Sequence, residues 1–188
     1  MNERILPYQE LHLLFISRET SHCPLISEIV TISKILQESK LTDKETGIMS
    51  LDYGKRLLIN AKNTDVKTIN QQDIVEIVDY DPLKNIMMVI GIKDPSSETP
   101  VHWIIQKARD DINVILQITS VSLFEKWNHV LPSTEKDTKP ASLERAKEIL
   151  RVLQKGKSIL IKNEGVVFAG INVKEVRDAL HKYLEVQQ

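Results

Sequence analysis

The segment Lys93-Asp94-Pro95-Ser96-Ser97-Glu98-Thr99-Pro100-Val101-His102 orders the rest of the chain around it. The Asp94-Pro95 pair carries turn chemistry. Beyond Pro100, Val101, Ile104, Ile105 and Ala108 make one apolar helical face. Ser96, Ser97 and Glu98 therefore stand just before a predicted helix. Hydroxyls and unpaired backbone N–H groups at such a place suit an anion. The same residues admit a purely local reading, in which Ser97 or Thr99 caps the helix and Glu98 complements its dipole. His102, one turn in, reads as a packed, hydrogen-bonded histidine.

Upstream, Asn85 to Ile92, Asp73 to Val78 and Arg56 to Asn60 are apolar runs of strand length, with turn residues at Asp79 to Pro82. A polar run from Thr42 to Gly47 precedes them. Before it lies a helical stretch from Pro24 to Leu41, in which Leu25, Ile29, Ile32 and Leu36 recur at helical spacing. Residues 1–23 form an arm ahead of a domain spanning 24–188, and Glu10 to Ile16 within the arm has strand character. Downstream, Ile112 to Thr119 is β-rich and reads as buried. Leu131 to Pro140 is a polar loop, with Lys136 to Lys139 solvated. Ser142 caps a helix with Leu143, Ala146, Leu150 and Leu153 inside. Lys157 to Lys162 and Val166 to Ala169 are strands joined by Asn163-Glu164-Gly165. A last helix runs from Val173 to about Leu184, with Val173, Val176, Leu180 and Leu184 on one face. Strands that follow one another directly favour a mixed or antiparallel sheet covered by helices over strict βαβ alternation. No glycine-rich phosphate loop of the Rossmann or Walker kind is present.

Composition narrows the function classes. A chain of 188 residues with 41% hydrophobic and 27% charged residues suits one α/β domain with a real core. A formal net charge of -1 argues against nucleic acid and anionic membrane as partners, and 5% aromatics against a base-stacking surface. The single Cys23 permits no internal disulfide and reads as a small buried hydrophobe. No apolar run reaches membrane-spanning length, and MNERILPYQE has no signal-peptide pattern, so the expected compartment is the cytoplasm. His22-Cys23 could supply two metal ligands, with no others near in sequence.

The Ser96-Ser97-Glu98-Thr99-Pro100 run entering a helix and followed by His102 resembles the signature of the class II aldolase/adducin family. Flanking blocks fall in that family's order. Ala108-Arg109-Asp110-Asp111-Ile112-Asn113 is similar to its lead into a metal-binding strand, and Thr138 to Ile149 and then Lys157 to Asn163, followed by Gly165, to its closing helix and strand. Thr46-Gly47 and Leu57-Leu58-Ile59 occupy the places of its opening strands. The likeness spans roughly residues 25–182. It implies a central, largely antiparallel sheet covered by helices on both faces. It also implies a homo-oligomer with sites at subunit boundaries and zinc-assisted aldolase, epimerase or dehydratase chemistry on small, often phosphorylated, sugars. A helix after the metal strand, carrying Val121, Leu123, Phe124 and Trp127, would lie near subunit contacts or complete the monomer core. Leu11, Leu13 and Phe15 of the arm would add a strand to this sheet or to a neighbour's.

The resemblance fails at the metal ligands. The family's His-x-His-Ser ending is here Gln117-Ile118-Thr119-Ser120, and its Asn-His-Gly turn is Asn163-Glu164-Gly165. Gln117, Thr119 and Glu164 are poor replacements. A catalytic zinc needs three firm ligands, and neutral amide and hydroxyl oxygens bind it feebly. No resident zinc is expected, although Glu164, with Glu98, could hold a hard ion such as magnesium weakly. By resemblance, Glu98 takes the catalytic acid/base position, Ser96 and Ser97 a phosphate-binding position, and Lys62 of the Asn60-Ala61-Lys62-Asn63 turn supplies a point charge there. Tyr183 has no motif linking it to the tyrosine acid of some aldolases. Three readings follow: an oligomeric ligand- or protein-binding module, a metal-dependent sugar-phosphate lyase or epimerase with unusual ligands, and a small-anion sensor.

Overall fold

The computed structural model describes residues 11–39 and 46–185, the side chains of Leu184 and Glu185 excepted. The sequence readings at Glu10, Leu41, residues 42–45 and the Leu184 side chain therefore lie outside the described residues.

Among the described residues, eight strands form one sheet. In chain order they are β1 (His12–Ser17), β2 (Thr46–Tyr53), β3 (Arg56–Asn60), β4 (Ile74–Asp81), β5 (Ile86–Ile90), β6 (Val114–Thr119), β7 (Ser158–Ile161) and β8 (Gly165–Gly170). Among the described residues five α-helices accompany them: α1 (Ile26–Glu38), α2 (Thr99–Ala108), α3 (Val121–Trp127), α4 (Leu143–Leu153) and α5 (Val173–Glu185). The spatial order is β1-β5-β4-β3-β2-β6-β8-β7. Every neighbouring pair is antiparallel except β1 and β5, which run parallel.

Alternation along β6 shows how the helices are shared between the faces. Leu116 and Ile118 pack with Ile29, Ile32 and Leu36 of α1, Leu123 and Trp127 of α3, and Val176 and Leu180 of α5. Ile115, on the opposite face, packs with Val101 and Ile105 of α2 and Ala146, Ile149 and Val152 of α4. Each buried leucine or isoleucine on these faces contributes about 2 kcal/mol by leaving water. The sheet is thus largely antiparallel and covered by helices on both faces.

Several sequence readings shift. The polar run from Thr42 to Gly47 gives way at Thr46-Gly47 to β2, where the family resemblance puts an opening strand, and Met49 and Leu51 of that strand are buried. In α4 the inward face is Arg145, Ala146, Glu148, Ile149, Val152 and Leu153, whereas Leu143 is 56% exposed. Leu11, Leu13 and Phe15 pack inward against the β3–β5 end of this chain's own sheet, and Leu14 and Ile16 point outward, half exposed. Leu123 and Trp127 complete the core, with Trp127 against Phe168 and Tyr183, while Val121 is exposed. Among the described residues, no helix is long and apolar enough to cross a membrane.

Candidate active site

Asn60, at the end of β3, ties three segments together. Its buried side-chain oxygen accepts the Met49 amide of β2 at 2.7 Å, and its backbone carbonyl accepts the Ser96 amide at 3.2 Å. The Lys62 amide donates to Asp94 at 3.0 Å. These bonds draw the turn after β3 against the loop before α2. The space left between them and the start of β2 is a cavity of about 590 Å³, lined by Thr46, Gly47, Ile48, residues 60–65, Lys67, Ser96 and Ser97. Lys62, Ser96 and Ser97, three of the residues singled out in the sequence, therefore share one cavity wall. Ser97 and Lys62 are exposed, and Ser96 is buried.

The entrance to α2 departs from the local capping reading. Glu98 occupies the cap position, and no side chain caps the helix. Thr99 turns its hydroxyl back to the Ser96 carbonyl at 2.6 Å. Nor does Glu98 merely complement the dipole. Its carboxylate, 3% exposed, accepts the Ala141 amide at 2.6 Å through Oε1. Its Oε2 lies 3.4 Å from Nη1 of Arg145 and has no hydrogen-bond partner within the protein.

Arg145, 2% exposed, grips Glu164 with both ends of its guanidinium: Nη1 reaches Oε1 at 2.8 Å and Nη2 reaches Oε2 at 2.5 Å. Nη2 also donates to the Thr138 carbonyl at 2.9 Å, and Nε has no partner. Thr138 is accordingly buried, not solvated with its neighbours. Burial lifts the Glu98 carboxyl above its ordinary pKa, against the Arg145 guanidinium and the Ala141 amide. Burial works against the charge on Arg145, but the Glu164 hydrogen bonds and the fields of Glu98 and Glu164 outweigh it and raise its pKa.

One turn along α2, His102 is fully buried. Its Nδ1 meets the Ser50 hydroxyl at 2.7 Å, and its Nε2 faces Oε1 of Gln117 at 3.4 Å. Desolvation pulls its pKa down to about 4, the bond to Gln117 opposing, so the ring is neutral at pH 7. It is a packed, hydrogen-bonded histidine, as its position in the sequence suggests. Gln117 is itself 2% exposed, and its amide nitrogen has no partner. Thr119 sits between Thr46 and Gly165 on the neighbouring strands.

This donor set does not fit a zinc ion. Gln117 faces His102, and Glu164 is chelated to a guanidinium. Among the described residues, no three His, Cys, Asp or Glu side chains converge as a metal cage. Neither Glu98 nor Gln117 lines the open cavity, so Ser96 and Ser97, the anion-binding candidates, and Glu98, the acid/base candidate, are adjacent in the chain but face different spaces. His22 and Cys23 border a second, separate cavity, and burial raises the Cys23 thiol pKa. Arg145 was not recognised in the sequence. The available signal was its spacing, since Arg145, Ile149 and Val152 recur at the inward positions of α4.

A family model described as class II aldolase and adducin N-terminal domain matches residues 27–188. No curated protein matches the chain. Among solved structures, an L-fuculose 1-phosphate aldolase superposes with a TM-score of 0.70 at 20% identity, covering 89% of this chain and 86% of the other. The Klebsiella pneumoniae protein YgbL, a putative aldolase/epimerase/decarboxylase, gives 0.66 at 17%, covering 86% and 85%. A sugar-phosphate aldolase from Thermotoga maritima gives 0.63 at 18%, covering 86% and 94%. At these identities the structural likeness speaks to the fold.

Proposed function

The chain belongs to the class II aldolase and adducin N-terminal domain family, and from that membership we propose that it is an oligomeric binding module for small phosphorylated or otherwise anionic ligands, working without zinc-dependent carbon–carbon chemistry. The observation that carries this reading is the cavity of about 590 Å³ in which Ser96, Ser97 and Lys62 meet at the entrance to α2. Hydroxyls, a lysine charge and the amide end of a ten-residue helix are complementary to a phosphate group. The names of the similar structures include sugar-phosphate aldolases, which agrees with a ligand of that class. Against zinc chemistry stand Gln117, Thr119 and the guanidinium-bound Glu164. The buried Glu98 with its raised pKa favours the competing reading, a residual lyase or epimerase with unusual ligands.

Thermal melting with inorganic phosphate, and then with a phosphosugar, tests the binding reading. At ten times Kd the melting temperature should rise by about 3–5 °C, and Ser97→Ala should remove most of that shift. Protein purified without chelator should carry well under one zinc per chain. A zinc equivalent retained through dialysis would establish the lyase reading instead, and no shift with millimolar phosphate would remove the binding role.

Assembly is a separate expectation. Leu14 and Ile16 of the outer strand β1 and Met88 beside Leu14 on β5 present apolar side chains to the outside, as a subunit interface would require. Light scattering on the full chain at micromolar concentration should give a mass well above 21.5 kDa. A monomer would leave only the ligand-binding half of the proposal.

A further inference from the structure

Two carboxylates from distant parts of the chain, Glu98 before α2 and Glu164 in the β7–β8 turn, share one cation, the Arg145 guanidinium. Glu98 is buried and the Glu164 side chain is 23% exposed, and two carboxylates brought together this way are costly unless a cation is held with them or one is protonated. The cation here cannot leave by deprotonation. It does not exchange with dissolved ions either, because Arg145 is 2% exposed and is anchored to the Thr138 carbonyl. The fit is incomplete in one respect. Glu98, 3% exposed, keeps Oε2 without a hydrogen bond, and Arg145 keeps Nε without one. The guanidinium offsets one of the two negative charges and does not saturate the acceptor oxygens around it.

We propose that Arg145 is a built-in counter-cation that closes a latent divalent-cation site between Glu98 and Glu164. With the guanidinium removed, the two carboxylates and the Thr138 carbonyl form an all-oxygen set. Its chemistry suits a hard ion such as magnesium or manganese better than zinc. The proposal goes beyond the anion-binding reading and stands whether or not the neighbouring cavity binds phosphate. It accounts for the disagreement with a zinc centre in chemical terms, since the place between the acids is already taken by a permanent positive charge.

Full-length Arg145→Ala tests it. At pH 7 its melting temperature should fall by about 10 °C relative to the wild type. Millimolar manganese, or methylguanidinium as a soluble copy of the lost group, should restore at least half of the fall. Calorimetry should find about one manganese per chain in Arg145→Ala, and adding Glu164→Gln to that variant should abolish it. The wild type should show no manganese-dependent shift. If Arg145→Ala does not fold unaided, refolding on addition of manganese supports the proposal. A chain carrying Arg145→Ala, Glu98→Gln and Glu164→Gln together should then fold with no response to manganese. The proposal is overturned if Arg145→Ala gains neither stability nor metal from manganese, or if the wild type responds to manganese as strongly as the variant.

Discussion

Gly165→Ala should be among the most damaging single substitutions in this chain, with a loss of about 4–5 kcal/mol in urea unfolding. Gly165 opens β8 opposite Thr119 of β6. A methyl group there would lie 2.0 Å from the Ile118 carbonyl oxygen and 2.9 Å from the Ser120 nitrogen. Both are backbone atoms, and the Ser120 amide already donates to the Glu164 carbonyl at 2.8 Å. Relief requires β6 and β8 to part, which breaks the sheet where both of its helical layers are anchored. It also moves Glu164 away from Arg145. Gly156→Ala is the control: an added methyl there meets nothing within 4 Å, so the two variants should differ by several kcal/mol. A Gly165→Ala chain within about 1 kcal/mol of the wild type would show that the strands are not packed so closely.

The second large effect is a dependence of stability on pH. His102 is fully buried and its pKa falls to about 4 from 6.5. The unfolded chain therefore binds a proton between those values that the folded chain refuses. The stability associated with a neutral His102 is fully present above about 6.5 and is lost as pH falls toward 4, amounting to about 3 kcal/mol by pH 4. Glu98 acts in the opposite direction. Its raised pKa makes the folded state hold the proton longer, so its contribution favours low pH and is lost as pH rises through the folded value. Urea unfolding from pH 7 to pH 4 should show the histidine loss, reduced by the Glu98 gain. His102→Gln should flatten the profile in that window, although it costs stability at pH 7 by disturbing the bond to Ser50. An unchanged slope in His102→Gln would assign the acid sensitivity to other groups.

Local patterns in the sequence carried much of the element map. The spacing of Ile29, Ile32 and Leu36 marks α1, the run Arg56 to Asn60 coincides with β3, and Ser142 caps α4 by accepting the Arg145 amide at 3.1 Å. These features depend on neighbours within a few residues, so propensity and periodicity suffice to reveal them. Motif order likewise placed Lys62, Ser96 and Ser97 as one group, because the loop before α2 and the turn after β3 are short and held by backbone bonds.

Contacts between residues far apart in sequence were a different matter. The parallel pairing of β1 with β5 joins segments with α1, β2, β3 and β4 between them, and nothing within either strand specifies that partner. The inward face of α4 turns so that Arg145, not Leu143, is buried. Helical spacing puts Arg145 on the same face as Ile149 and Val152, but nothing local makes a buried guanidinium tolerable there. The guanidinium is held inside by Glu98, which is buried, and by Glu164, which is partly exposed; they lie 47 and 19 residues away along the chain, and a buried carboxylate is stabilised by a cation. The sequence by itself determined that Gln117, Thr119 and Glu164 stand where the family's motifs carry histidines by resemblance. Only the tertiary structure decided that Arg145 lies between Glu98 and Glu164, because burial and charge pairing are properties of the assembled core and not of any one segment.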